Sequence, residues 1–364
     1  MDRTVALTWS WLNVLNAKRA EALRRVYGDL EKALQSIDEE MLRSLGCRQE
    51  TIYKTLNRLE EFDPAAYERE LKSRSLRFLT IEDPAYPAKL REIGDPPLFL
   101  YERGDLSILE QPCIALVGTR EMSPYGRRAV EHFVPALVQA GTVTVSGLAL
   151  GIDAAVAEET LRAGGKTVAV LGNGLASVFP ASNARLADKI VAGGGVILSE
   201  FPLDTSPDKF TFPARNRIIA GLSLGTVVLE AGEGSGALIT ADLALDYGRE
   251  VFAVPGQIFD PNYAGSHQLL SRGVAKLVSA PADILIELKI VVPEEGAVVY
   301  EPQNAEEAAL CKVLSTMPQT VDMLVERSGL LAAGVSATLT VLELNGAVKH
   351  CGGGAWVRCS PAGK

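Results

Sequence analysis

From Cys113 to about Leu288 the chain alternates short, unbroken apolar runs with longer amphipathic ones, and nothing else in the sequence restricts the fold as much. CIALVGT, TVTVSG, KTVAVLG, VILSEF, TVVLEAG, EVFAVPG and AKLVSA read as strands. YGRRAVEHFVPALVQAG, IDAAVAEETLRAGG, ARLADKIVAGG and SGALITADLALDYGR read as the helices between them. A strand that is apolar throughout must be covered on both faces. The pattern therefore predicts an extended Rossmann-like, doubly wound α/β fold with a mostly parallel sheet. Such sheets bind their ligands beyond the carboxyl ends of the strands. The glycine turns fall at those ends: Gly118-Thr119-Arg120, Gly147 and Gly151, Leu171-Gly172-Asn173-Gly174, Glu230-Ala231-Gly232 and Pro255-Gly256.

Other segments flank this core. In residues 1–70 leucines recur at helical spacing, with breaks at Gly28 and Gly46. A helical bundle is expected there, faintly similar to sterile-alpha-motif or helix–hairpin–helix modules, with a plain capping bundle as the simpler reading. Residues 71–112 are proline-dense and hold short strands near Arg77–Ile81 and Leu98–Tyr101. They are too apolar for a linker, so the core is taken as 71–288, with this stretch packed on its edge. An acidic linker is expected at 289–304. Residues 305–364 follow the order helix, helix, helix, hairpin, which predicts a winged-helix domain. Its third helix carries Glu343 and neither lysine nor arginine, which suits partner binding or capping better than reading duplex DNA.

Bulk composition narrows the chemistry. The net charge of −9 gives a field that repels nucleic acid, so any nucleic-acid binding needs a concentrated local patch. The 5 cysteines form no CxxC pair, which indicates a reducing compartment without a disulfide frame. His350, Cys351 and Cys359 are close in sequence but lack the tighter spacing of zinc ligands, and no metal is expected. There is no signal-peptide pattern and no apolar run near the roughly 20 residues of a membrane span. A soluble, cytoplasmic protein without membrane contact is expected.

Residues 199–223, SEFPLDTSPDKFTFPARNRIIAGLS, concentrate what could form such a patch. Pro202, Pro207 and Pro213 are expected to hold off helix formation until Arg215-Asn216-Arg217. Lys209, Phe210, Phe212, Arg215, Asn216 and Arg217 would then crowd a loop and a helix start. Unpaired N–H groups at a helix N-terminus suit a phosphate, and aromatic faces interleaved with cations suit the bases of a single strand. The plain alternative buries both phenylalanines and pairs the arginines with Asp204 and Asp208. The first turn, VGTREMSPYG, departs from GxGxxG and places Arg120 where a second glycine would admit a pyrophosphate, so a dinucleotide cofactor is disfavoured. Backbone N–H groups around Gly147 and Gly151 could cradle a further phosphate.

Catalytic signals are sparse. His132 lies among apolar neighbours, and His267 opens GSHQLLSRG with no nucleophile elbow nearby. Asp153 and Glu230 are the best-placed carboxylates, each suited to a general base or to a structural role, Asp153 at a helix start and Glu230 holding an arginine. No HExxH, P-loop or Ser-His-Asp set is present.

VGTREMSPYG, SGLALGIDAAV, LGNGLASVFPASN, SEFPLDTSPDKFTFPARNRIIAGLS, VVLEAGEGSGALITADLALDYGREVFAVPG and GSHQLLSRGVAKLV, led in by YPAKLREIGDPPLFLYERGD, resemble the successive motifs of the DNA processing protein A (DprA/Smf) family over residues 84 to about 288. The resemblance implies a non-enzymatic recombination mediator, without cofactor, that binds and protects single-stranded DNA during natural transformation. It also implies loading of RecA, homodimerisation, and the single-strand-binding protein as a further partner. By the same resemblance the DNA site uses Arg120, Lys209, Phe212, Gly147 and Gly151, with Asn216 beside it, and the reading of the residues themselves adds Gly118 and Thr119 of the first turn and the cations Arg215 and Arg217. Dimer contacts would lie around His267, Leu269 and Leu270. Threonine in GTR stands where many members have serine, which keeps the hydroxyl. A competing reading is a Rossmann nucleotide phosphoribohydrolase, since GLSLGTVVLEAG is similar in part to PGGxGTxxE. Glu230 would then be the base and Arg215 would hold a 5′ phosphate, but the PGG is missing and FPARN has no role in it. A regulator acting through the winged helix is the third class.

Overall fold

The computed structural model describes residues 1–290, 302–315, 318–352 and 354–358. The chain forms two compact units, 1–292 and 293–364. The first begins with six short helices: α1 (Arg3–Leu12), α2 (Ala17–Tyr27), α3 (Leu30–Gln35), α4 (Glu39–Ser44), α5 (Gln49–Glu61) and α6 (Pro64–Ser73). Asp2, Asn16, Asp29, Asp38 and Asp63 precede five of these helices, and each accepts first-turn backbone N–H bonds with its side chain.

A nine-stranded sheet follows: β1 (Arg77–Thr80), β2 (Phe99–Gly104), β3 (Cys113–Gly118), β4 (Val143–Ser146), β5 (Thr167–Val170), β6 (Val196–Ser199), β7 (Gly225–Glu230), β8 (Glu250–Ala253) and β9 (Lys276–Leu277). Their spatial order is β1-β2-β6-β5-β4-β3-β7-β8-β9. Strands β3 to β9 are parallel, while β2 runs antiparallel to both β6 and β1. The proline-dense stretch is thus an antiparallel hairpin added to the edge of a doubly wound sheet. The order reverses at β3 and β7, so a crevice opens where their carboxyl ends part.

Helices cover both faces. They are α7 (Ala88–Arg91), α8 (Pro124–Gln139), α9 (Ile152–Arg162), α10 (Ala184–Ala192), α11 (Thr211–Leu222), α12 (Gly236–Asp246), α13 (Ala264–Ser271) and α14 (Pro281–Glu287). Side chains alternate along each strand. In β3, Cys113, Ala115 and Val117 share a cluster with residues of α7, α11 and α12, whereas Ile114 and Leu116 join residues of α8, α9 and α14.

The helical bundle shares its core with this sheet. Trp9, Leu42, Ile52 and Leu71 cluster with Phe78, Phe99 and Tyr101 of the edge hairpin and with Leu203 of the loop after β6. A buried hydrogen-bond chain crosses that seam. The Tyr67 hydroxyl accepts from the Leu203 N–H at 3.0 Å and donates to Tyr101 Oη at 3.1 Å. Tyr101 Oη is in turn 2.7 Å from Ser10 Oγ. No helix among the described residues is long and apolar enough to cross a membrane.

The second unit has α15 (Ala305–Val313), α16 (Val321–Ser328) and α17 (Ala332–Leu344) against a small sheet in the order β10 (Gln319–Thr320), β12 (Ala355–Arg358), β11 (Val348–His350). Leu310, Leu324, Val335, Leu339 and Leu342 form its core. This is the helix order and sheet of a winged helix. Most of the expected 289–304 linker, and Cys359, lie outside the described residues.

Candidate nucleic-acid interface

The loop after β3 is fixed by backbone bonds before any side chain is considered. Thr119 N–H donates to Glu230 O at 2.8 Å, and Ile152 N–H donates to Thr119 O at 3.1 Å. Thr119 Oγ1 accepts from the Glu121 N–H at 3.1 Å, a use for the hydroxyl that serine would share. Gly118 packs against Ile152 and the Glu230 carbonyl. Gly151 has a φ of +76°, and a Cβ there would overlap the carbonyl oxygens of Thr119 and Arg120. These glycines therefore press the β3 turn down onto α9 and leave Arg120 exposed at the rim.

Arg120 and Phe212 meet there. The guanidinium carbon lies 5.1 Å from the centroid of the half-buried Phe212 ring. Phe212 rests on Gly172, and its ring is 5.9 Å from that of Phe179, tilted by 49°. Lys209 lies alongside, its ammonium 5.1 Å from the centroid of Phe210, a ring that is 72% exposed. Two cation–aromatic pairs thus open onto the carboxyl edge of the sheet, each offering a charge for a phosphate and a π face for a base. Sequence reasoning misses Phe179. Its only signal is one large ring among small residues in the SVFPAS turn.

The remaining candidates have other roles. Helix α11 begins at Thr211, not at Arg215 as expected. Pro213 sits in its first turn, where the missing N–H would have had no partner, so it does not delay the helix. Arg215, Asn216 and Arg217 consequently lie within the helix instead of at its mouth. Asp208 occupies the N-terminus, taking the Phe210 N–H on its side chain and the Thr211 N–H on its carbonyl.

Arg215 is buried, and its guanidinium donates to Gly147 O, to Val170 O at 2.6 Å and to Asn216 Oδ1 at 3.0 Å. A Cβ on Gly147 would overlap that guanidinium. Asn216 donates onward to Gly236 O at 3.2 Å. The Gly147 N–H, expected to face a phosphate, donates to Asp153 Oδ2 at 3.1 Å instead. Burial pushes the Asp153 carboxyl up and the Arg215 guanidinium down, and each opposes the other's shift by attraction. Arg217 is paired with Glu200 and donates to Asp95 O at 2.7 Å. In place of the anticipated Asp204 and Asp208, the arginines of this helix engage Asp153, Glu200 and Asp95. The geometry gives Arg215, Arg217 and Asn216 a framework role and leaves Arg120 and Lys209 as the cations at the opening.

Glu230 holds no arginine. It is fully buried, and its carboxylate accepts the Ser123 N–H at 3.1 Å, filling the crevice at the N-terminus of α8. A dinucleotide's pyrophosphate would need that same space. Among the expected dimer residues, Leu269 is buried in the core and His267 bonds Gly256, which leaves the half-buried Leu270. On that flank the edge strand β9 exposes Leu277, at 57%. No cluster of His, Cys, Asp or Glu that could hold a metal occurs among the described residues.

Fold and rim together define an extended Rossmann protein whose carboxyl rim carries two cation–aromatic pairs, followed by a winged helix. Profiles for "DNA recombination-mediator protein A" and "DprA winged helix domain" match residues 77–289 and 297–354. The chain belongs to the DNA recombination-mediator protein A family. It is 40% identical over 253 residues to the DNA processing protein DprA of Bacillus subtilis, covering 68% of this chain and 82% of that one. The X-ray structure of DNA processing protein A from Streptococcus pneumoniae superposes with a TM-score of 0.65 at 37% identity, over 79% of this chain and 98% of the other. DNA processing protein A from Helicobacter pylori, whose single-stranded DNA binding mode has been described structurally, gives 0.53 at 30% identity, over 58% and 96%.

Proposed function

We propose that this protein binds single-stranded DNA along the carboxyl rim of its sheet without reading base sequence, shields it, and passes it to the recombinase RecA. The observation that carries this reading is Arg120 stacked on Phe212 beside Lys209 on Phe210, two exposed cations on two rings at an open edge. In this reading the cations take phosphates and the rings take bases, contacts that carry no base sequence. The Helicobacter pylori relative supports the single strand as ligand. The chain's net charge of −9 limits how tightly a strand is held, which favours its transfer to a filament protein and, on the strand, to or from a single-strand-binding protein. Two copies joined through the β9 flank, with Leu277 and Leu270 at the seam, would unite two rims. The cytoplasm is the compartment where such DNA and RecA meet.

The phosphoribohydrolase reading finds no footing in the site. Glu230 is fully buried and bonded to Ser123, and Arg215 is enclosed by carbonyl groups, so both groups it requires already have internal partners.

The test is binding of labelled single strands and duplexes of mixed sequence, read by fluorescence anisotropy across a salt series. Single strands are expected to win. Arg120→Ala and Lys209→Ala should each flatten the log–log salt slope by about 0.7, one phosphate contact. Unchanged slopes in both variants would remove the rim from the binding site. Transfer is measured separately as RecA filament growth on strands already coated with single-strand-binding protein.

A further inference from the structure

Among the described residues the exposed aromatic side chains are Tyr53, Tyr125, Phe179, Phe210 and Phe259. Tyr53 lies on α5. The others follow β3, β5, β6 and β8, and because those strands are parallel all four stand on one edge of the sheet. Single exposed rings are ordinary on a protein surface, but this concentration on one edge is not scatter. Phe179 and Phe210 flank the Arg120 and Lys209 site already described. Tyr125 and Phe259 lie outside it.

Tyr125 repeats the arrangement at Phe212. The Arg128 guanidinium carbon lies 5.5 Å from its ring centroid. Its hydroxyl donates to Pro255 O at 3.0 Å, and its ring meets Tyr263 edge-on at 5.4 Å. Tyr125 is thereby anchored to the loop leaving β8, the loop that carries Phe259, 92% exposed. Resting on the reading that the rim binds single-stranded DNA, we propose that the strand's track continues past Phe212, across the first turn of α8, to Tyr125 and Phe259. Further bases stack there, and Arg128 takes a phosphate.

From β6 to β8 the sheet order counts five strand intervals, about 24 Å at the usual spacing. That spans roughly seven nucleotides at a stacked rise of about 3.4 Å. Glu121, Glu233 and the half-buried Asp260 stand along this far half, opposing the arginines of α8. Stacking, more than charge, therefore holds the strand there.

The experiment is anisotropy with the full chain and labelled oligothymidylates of about 4 and about 12 nucleotides, shorter and longer than the roughly seven-nucleotide span. Phe259→Ala should lower affinity for the longer strand by about five- to tenfold, and so the long-to-short ratio, without changing the salt slope. Arg128→Ala should flatten the slope on the longer strand by about 0.7. Phe259→Tyr keeps a stacking face and should retain the wild-type ratio. Phe259 is almost wholly in solvent, so its truncation leaves the core intact. If both alanine variants keep the wild-type ratio and slope while Arg120→Ala weakens both lengths, the track ends at Phe212 and the extension is wrong. Arg120→Ala without effect at either length would instead remove the rim reading itself. A change of mass in solution with Phe259→Ala, at unchanged DNA affinity, would assign this loop to a protein contact and also overturn the extension.

Discussion

Arg215 shows how a cation of a stretch rich in exposed charge can act one layer beneath the rim. Its guanidinium ties the ends of β4 and β5 together through Gly147 O and Val170 O, and Asp153 balances its charge. Gly147→Ala would drive a methyl group into that guanidinium. It is expected to cost about 1–3 kcal/mol, measured by urea unfolding, because the buried arginine has no room to retreat. Glu200 offers a second residue-scale test. Burial pushes its carboxyl up to about 7 from the ordinary 4.5, with Asp95 adding to the rise and Arg217 opposing it. A carboxyl raised in the folded state contributes its full stability below about pH 4.5 and loses that contribution as pH climbs through about 7. The window corresponds to about 3 kcal/mol. Glutamine cannot ionise, so Glu200→Gln should flatten the fall of Tm between those pH values. An equally steep fall in the variant would place the titrating group elsewhere.

At the scale of elements, the loop after β6 bears Lys209 and Phe210 but has little regular structure of its own. Its upstream end is held by the helical bundle, where Leu203 lies in the bundle's core and its N–H donates to the Tyr67 hydroxyl. Tyr67→Phe keeps the ring and removes the acceptor, leaving a buried N–H unpaired. Urea unfolding should show a loss of about 1–3 kcal/mol. Weaker DNA binding at saturating stability would show that the bundle also sets the loop's geometry. Deleting α1 to α6 is a harsher change, since it would bare Phe78, Phe99 and Tyr101. The bundle is therefore an integral wall of the first unit.

For the whole molecule, net charge sets the terms. With −9 per chain, a lone rim works against the field of its own body, and the proposed pairing would set twice the rim cations along one strand. Strand β9 is the sheet's last strand on that side and presents Leu277 outward. Leu277→Arg is expected to shift sedimentation from dimer to monomer and to weaken binding of long strands more than short ones, since two linked sites act as one. A monomeric wild-type protein at micromolar concentration would end the dimer proposal.

The alternation of apolar strands with amphipathic helices determined the doubly wound sheet, because a parallel strand buried on both faces leaves no other way to cover it. The same sequence pattern placed the glycine turns, Arg120 and the Lys209–Phe212 stretch on one rim. Sequence could not sort the cations within that stretch. Lys209, Arg215 and Arg217 look alike as letters, and only the register of α11, started early because Pro213 fits a first turn, turned Arg215 and Arg217 inward and left Lys209 in solvent. Nor could it anticipate Phe179 against Phe212, or the Tyr125 hydroxyl on Pro255 O, since those neighbours come from loops and helices far apart in the chain. Local periodicity fixed the elements, and the packing of distant loops chose which charges face the water.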